Sequence, residues 1–177
     1  MELKTKRLTL RELNDKDLTN LVRLMDNLNV SQYLEVVPHP YSKKDGEWFI
    51  NKCEEDSKKE PRENYELAIE FDGSLVGIIG LTKVDDFHGT ATIGYWLGEN
   101  FWKKGIMFEA TTEIIRFGFE DLDLRRINVE ADTNNEASNR LIKKLGFEYE
   151  GMRKQSKRNK STGKVVDRNI YGLLKEN

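Results

Sequence analysis

The chain has 177 residues, 37% of them hydrophobic and 34% charged, with a formal net charge of −2. That length suits one domain with a core of its own, and the near-balance of charge gives no global attraction to nucleic acid or to an anionic membrane. No apolar run reaches the ~18 residues of a membrane span, and the opening MELKTKRLTL lacks the apolar stretch and cleavage site of a secretion signal.

Thr5 to Leu13 alternates, with Leu8 and Leu10 on one face and Arg7, Thr9 and Arg11 on the other, which predicts a half-exposed strand. Asn14 or Asp15 caps the next segment, a helix whose Leu18, Leu21, Val22, Met25 and Leu28 recur at helical spacing. Pro38 and Pro40 break the chain. Ser42 opens a second amphipathic helix carrying Trp48, Phe49 and Cys53, and Pro61 stops the charged segment that ends it. A strand over Tyr65 to Phe71 turns at Asp72-Gly73 into Leu75 to Lys83. After a turn over Asp85 to Gly89 comes the strand Ala91 to Leu97, then a loop from Gly98 to Lys104. Gly105 opens a helix expected to bury Phe108, Thr111, Ile114, Ile115 and Gly118. Arg126 to Ala131 reads as a strand, Asn135 to Leu145 as a helix ended by Gly146, and Phe147 to Arg153 and Val165 to Leu174 as two closing strands. The predicted order is β-α-α-β-β-β-α-β-α-β-β. Antiparallel hairpins precede a single crossover helix, so the expected fold is α/β, one mixed sheet flanked by helices, in one domain over residues 1–177.

Several chemistries drop out at this level. His39 and His88 have no metal-ligand spacing and the lone Cys53 cannot complete a zinc site, so no metal is expected. Neither a G-x-S-x-G elbow nor a P-loop is present. Cys53 also has no partner for an internal disulfide, which makes the cytoplasm the expected setting.

The informative stretch is Ile93 to Ala110, IGYWLGENFWKKGIMFEA. A buried strand runs through a loop with Lys103, Lys104 and Gly105 directly into a helix. Amides at a helix start have no internal partner, the helix dipole favours an anion there, and glycine lets a ligand approach the backbone. The loop reads as a pyrophosphate cradle, or as an ordinary turn with solvated lysines.

Residues 102–107 (Trp102, Lys103, Lys104, Gly105, Ile106 and Met107) resemble the Q/R-x-x-G-x-G/A signature with which GNAT acetyltransferases bind coenzyme A. GYWLGENFWKKGI is similar to the form of it found in the Rim-type, ribosomal-protein acetyltransferase branch. Asn134 to Ser138, then Lys144-Leu145-Gly146-Phe147 and Glu150-Gly151, resemble the next motif of that branch, and the opening TKRLTLREL and closing YGLLKE are similar as well. The resemblance therefore covers essentially the whole chain. It implies the GNAT fold, acetyl-CoA as cosubstrate, and direct acetyl transfer to a primary amine, a protein or peptide N-terminus foremost. A small amine such as a polyamine or aminoglycoside is the alternative acceptor, and a catalytically silent coenzyme A-binding module the alternative function. No nucleic-acid or membrane partner is implied, and monomer or homodimer stays open. Amine attack on a thioester needs positioning and charge stabilisation rather than a side-chain nucleophile.

What the resemblance implies for single residues is as follows. A bulge in the strand Ala91 to Leu97 splays it from the strand after it, and main-chain N–H groups near Trp96 and Leu97 hold the pantetheine and thioester; Tyr95 and Trp96 also fit as plain core aromatics. Asn134 contacts the pantetheine arm, or caps the helix that follows. Ser138, facing the wedge between the strands, protonates the leaving thiolate, or is a tolerated polar helix residue. Glu35, Glu130 and Asp167 are the candidate general bases, any of which a water chain can replace. Met107 departs from the usual Gly or Ala of its slot, and Thr92 stands where many relatives carry Glu. The run Arg153 to Lys164 has six basic residues and no acidic one; it reads as a solvated hairpin tip, or as an attractor for an acidic peptide or an RNA-associated protein.

Overall fold

In the computed structural model, which describes residues 1–176, two short strands open the chain where one was expected; Asn177, the last residue of the expected domain span, lies outside the described residues. β1 (Glu2–Lys4) pairs antiparallel with β2 (Leu8–Arg11). Thr5 turns the chain between them, its amide donating to the Leu8 carbonyl at 3.0 Å and its hydroxyl oxygen accepting from the Leu8 amide at 3.0 Å. Leu8 and Leu10 still face the core, as their alternation requires.

Asn14 caps a 3-10 turn over Asp15–Asp17 that leads into α1 (Leu18–Met25). The helix expected through Leu28 breaks at Asp26, where ψ is 49°. Asn27 then caps a single turn, α2 (Leu28–Ser31), by accepting from the Asn29 amide at 2.9 Å. The break frees the Asp26 carboxylate to accept from the Tyr41 amide at 2.9 Å, tying the start of the next helix to α1. That helix, α3 (Lys43–Ser57), begins in a Ser42/Asp45 capping box. Gly46 lets α3 pack closely on α1, since a Cβ there would come within 2.8 Å of the Leu18 side chain, which would have to shift.

β3 (Tyr65–Phe71), β4 (Ser74–Asp85), β5 (Thr90–Leu97), β6 (Arg126–Asp132), β7 (Glu148–Arg158) and β8 (Val165–Leu174) complete a sheet of order β1-β2-β3-β4-β5-β6-β8-β7. Only β5 and β6 run parallel, so the sheet is mixed as expected. β3 and β4 are buried on both faces. Ala68, Leu75 and Ile78 pack with Leu21, Met25 and Ile50 of α1 and α3 on one side. Leu67, Ile69 and Leu81 pack with Ile106, Ala110 and Ile114 of α4 (Ile106–Arg116) on the other. Phe108 and Ile115 are half-buried rather than buried, since the apolar stripe of α4 runs through Ile106, Ala110, Ile114 and Phe117. α4 ends in a π turn over Phe117–Asp121.

β7 extends to Arg158, five residues past its expected end at Arg153, through a segment too polar to read as a strand. It is an edge strand, interrupted by register shifts after Tyr149 and Arg153, and its lysines and bulges suit an edge that must not pair further. The hairpin tip shrinks accordingly to residues 159–164.

Asn139 ties α5 (Glu136–Lys144) to β6 and β8. Asn139 donates to the carbonyls of Asp132 at 2.9 Å and Asn135 at 2.8 Å, and its Oδ1 accepts from Asn169 at 2.9 Å and from the Tyr171 hydroxyl at 2.6 Å. Tyr171 is 1% exposed, so Asn139→Ala leaves its hydroxyl buried without a partner. The expected loss is about 1–3 kcal/mol of stability, read as a lower denaturant midpoint at an unchanged m-value.

Candidate active site

β5 and β6 pair only through Thr90↔Arg126, Ala91↔Ile127 and Thr92↔Asn128. Beyond Thr92 they part: β5 stays with β4 as far as Leu97, and β6 stays with β8 as far as Asp132. The gap between them is a cleft of about 160 Å³, walled by residues 93–95 and 129–132 and closed by Tyr33–Glu35, Asn135, Ser138 and Arg168. The register irregularity that the resemblance put in β5 lies in β4, between Thr82 and Asp85, where Lys83 takes a φ of 53°. β5 itself pairs regularly, and Gly98 donates to the Val76 carbonyl at 2.9 Å. Alternation along that antiparallel pair turns the Trp96 amide toward β4 and the Tyr95 and Leu97 amides toward the cleft.

At the end of β5 the chain enters the loop before α4. Gly105 has a φ of 74° and Lys103 of 60°, left-handed conformations that turn successive amides the same way. Among the described residues none of the amides from Lys103 to Phe108 has a protein acceptor; the first helical bond is Glu109 to Gly105 at 3.1 Å. The loop is braced from outside. Trp102 Nε1 donates to the Leu97 carbonyl at 2.7 Å, and Arg7 donates to the Lys104 carbonyl at 3.1 Å while pairing with Glu109 at 2.7 Å. Ile106 is buried, and Met107 packs against the core beneath the helix. Free amides, exposed Lys103 and Lys104, and an open glycine fit the pyrophosphate of coenzyme A.

On the opposite wall Ser138 Oγ lies 2.9 Å from the Tyr95 hydroxyl. Burial pushes the Tyr95 phenol up to about 12, against a smaller downward pull from Ser138. It therefore stays protonated at neutral pH and can donate to Ser138. Asn135, not Asn134, caps α5, accepting from the Ser138 amide at 3.1 Å. The Asn134 side chain is exposed, and its amide donates to Asp132 Oδ1 at 2.8 Å.

The carboxylates divide. Glu35 and Glu130 line the cleft, Glu35 paired with Lys157 at 3.1 Å and Glu130 with Arg153 at 2.7 Å. Asp167 accepts from the Gln155 amide at 2.7 Å and does not line the cleft. Thr92 is spent in the sheet, its carbonyl accepting from the Thr82 hydroxyl at 3.3 Å. The basic hairpin is not a free tip. Asn159 donates to the Gln32 carbonyl at 2.7 Å, Ser161 to the Ser31 carbonyl at 3.0 Å, and the Lys160 amide to the Glu35 carbonyl at 2.9 Å. These bonds hold the hairpin to the end of α2 and the segment after it.

Three cleft residues escaped the sequence reading as functional side chains: Tyr95, Asp132 and Arg168. Tyr95 follows Ile93 on the same alternating face of a strand otherwise read as core. Arg168 had a visible signal, an arginine inside the otherwise half-buried strand VVDRNIYGLL. Among the described residues no metal-binding cluster occurs, and no helix is long and apolar enough to cross a membrane. Cys53 is buried, and burial pushes its thiol up to about 12.

A sequence model of the acetyltransferase (GNAT) domain matches residues 7–148. The uncharacterized N-acetyltransferase p20 of Bacillus licheniformis is 29% identical over 98% of this chain and 96% of its own. The ribosomal-protein-serine acetyltransferase of Escherichia coli (strain K12) is 33% identical over 46% of each chain. A crystal structure of a probable acetyltransferase superposes with a TM-score of 0.85 at 29% identity, covering 99% of this chain and 97% of that one.

Proposed function

The chain belongs to the GNAT acetyltransferase family as an acetyl-CoA-dependent N-acetyltransferase with Rim-type relatives, and from that premise we propose that it acetylates the α-amine of a protein or peptide N-terminus. The observation that carries the proposal is the splayed β5–β6 cleft, which has the amide cradle of residues 103–108 beyond the end of β5 and the Tyr95–Ser138 pair bridging from β5 to α5. The whole span 1–177 works as one domain, and the buried, unpaired Cys53 suits the cytoplasm.

Acetyl-CoA supplies the acetyl group as an activated thioester. Lys103 to Phe108 hold its phosphates through their amides, with Lys103 and Lys104 adding positive charge. The Tyr95 and Leu97 amides face the gap where pantetheine would complete the sheet edge, and the exposed Asn134 amide side chain flanks it. Tyr95 donates to Ser138 Oγ, which leaves the Ser138 proton for the departing sulfur. On the acceptor side, Glu35 and Glu130 are the carboxylates available to take the amine's proton, directly or through water. Asp167 contributes through the backbone of β7.

The α-amine is favoured over other amines on acidity. Glu35 and Glu130 are each engaged by a cation, Lys157 and Arg153, so an amine that gives up its proton easily suits the site. An α-amine with a reference pKa of ~8 loses its proton far more readily than a lysine or polyamine near ~10.4. Peptides with free Ser or Ala N-termini are expected to react faster at neutral pH than N-blocked, lysine-containing versions. Their kcat/KM should climb with pH and level off near the pKa of the α-amine. A profile still climbing steeply well above that pKa, or spermidine outcompeting every peptide, replaces this reading with small-amine acetylation.

A further inference from the structure

Resting on that acceptor reading and sharpening it, we propose that the cleft selects acceptors with a carboxylate close to the reacting amine, and that Arg168 is the residue that binds it.

Arg168 lies on β8, with Asp132 as its cross-strand Cα partner on β6 and Arg153 on β7. It is 9% exposed, and the part that remains exposed lines the cleft. Removing a guanidinium from water is costly unless an anion and hydrogen-bond acceptors replace the lost hydration. Here none do. Among the described residues Arg168 has no carboxylate within ion-pair distance and no hydrogen-bond acceptor, and its Nε is sealed from solvent without a partner. The two carboxylates on the cleft lining that do hold cations draw them from β7, Glu35 from Lys157 and Glu130 from Arg153.

The carboxylate at the paired position on β6 is also left open. Asp132 is 4% exposed and accepts from the Asn134 amide, yet among the described residues no cation pairs with it. The cleft thus holds a buried positive group and a buried negative group at paired positions of β8 and β6, with no ion pair between them. An acceptor carrying an ammonium and a carboxylate close together satisfies both at once: the ammonium is drawn to Asp132 and the carboxylate to the planar donor fork of Arg168. A polyamine offers nothing to Arg168, and a neutral peptide offers only a carbonyl. The N-terminus that fits has Asp or Glu within its first few residues. Arg168 binds the acceptor and does not enter the chemistry, so its effect belongs in KM.

The test uses pairs of peptides that differ only by Glu→Gln or Asp→Asn at the second or third residue, together with glutamate-type small amines and their amides. The wild-type protein is expected to prefer the acidic member by about tenfold to a hundredfold in kcat/KM, carried by KM. Arg168→Gln should bring each pair to within about twofold, and Arg168→Lys should restore part of the preference. If acceptors are turned over with no preference for the acidic member, or if Arg168→Gln keeps the preference, the assignment is overturned while the acetyltransferase reading stands. If no peptide reacts but the acidic small amines outpace their amides, the peptide reading fails and the Arg168 assignment holds. Should Arg168→Gln not fold, the wild-type pairs decide alone, and equal rates within them overturn the proposal.

Discussion

Gly105→Glu is expected to abolish the rise in melting temperature that acetyl-CoA gives the wild-type protein. Any ligand that binds only the folded state raises its stability by mass action, so the shift reports cradle occupancy directly. Gly105 stands in the left-handed region at a φ of 74°, and a Cβ placed there meets nothing closer than the Arg7 guanidinium at 3.5 Å. A side chain is therefore accommodated at a strain of about 1–2 kcal/mol, a fraction of a typical folding free energy. What a carboxylate adds is charge. Two like charges about 4 Å apart repel by roughly 4 kcal/mol at an effective dielectric of about 20, which is nearly a thousandfold in affinity. Gly105→Ala, which brings the strain without the charge, should keep most of the shift. If Gly105→Glu binds acetyl-CoA as tightly as the wild type, the phosphates lie elsewhere.

Ser138→Ala should lower kcat by about 10²–10⁴-fold, the usual contribution of a positioned proton donor, while the affinity for acetyl-CoA changes little. Tyr95→Phe should reproduce part of that loss, because its hydroxyl contacts Ser138 at 2.9 Å. The double variant should then fall less than the product of the two single effects, since the pair acts as a unit. The hydroxyl of Tyr95, held protonated by burial, makes the donor insensitive to pH across the neutral range, so the pH profile should carry no falling limb from Tyr95 below pH ~9. An unchanged kcat in Ser138→Ala, with the chemical step shown to limit turnover, makes Ser138 a helix residue and nothing more.

The parts of the fold legible in the sequence were those with strong local signals. The Asp72-Gly73 turn, the unbroken apolar run of β4 and the Gly105 helix start each identify an element by themselves. The failures have physical causes too. Thr5 turns the chain within a continuous alternating pattern, because its side chain supplies the turn's hydrogen bonds. Asn27 restarts a helix whose apolar spacing never falters, because capping competes with helix continuation on equal terms. β7 was cut short because residues 154–158 carry edge-strand chemistry, which resembles loop composition. At the site, motif resemblance singles out the loop before α4 and Ser138, and the structure places Ser138 on the cleft lining. Arg168 and Asp132 were not legible in the sequence, because what distinguishes them is burial without a partner, a property that exists only once β6 and β8 are side by side.

The central claim, acetyl transfer to a peptide α-amine, is tested most directly by incubating the protein with acetyl-CoA and one peptide that has both a free N-terminus and an internal lysine. Thiol release and the position of the new acetyl group are then measured together by titration and fragment mass spectrometry. One thiol released per acetylated peptide, with the acetyl group on the N-terminal nitrogen, is expected in the wild-type protein and not in Gly105→Glu. Acetylation of the lysine alone, or thiol release with spermidine and with no peptide, would contradict it.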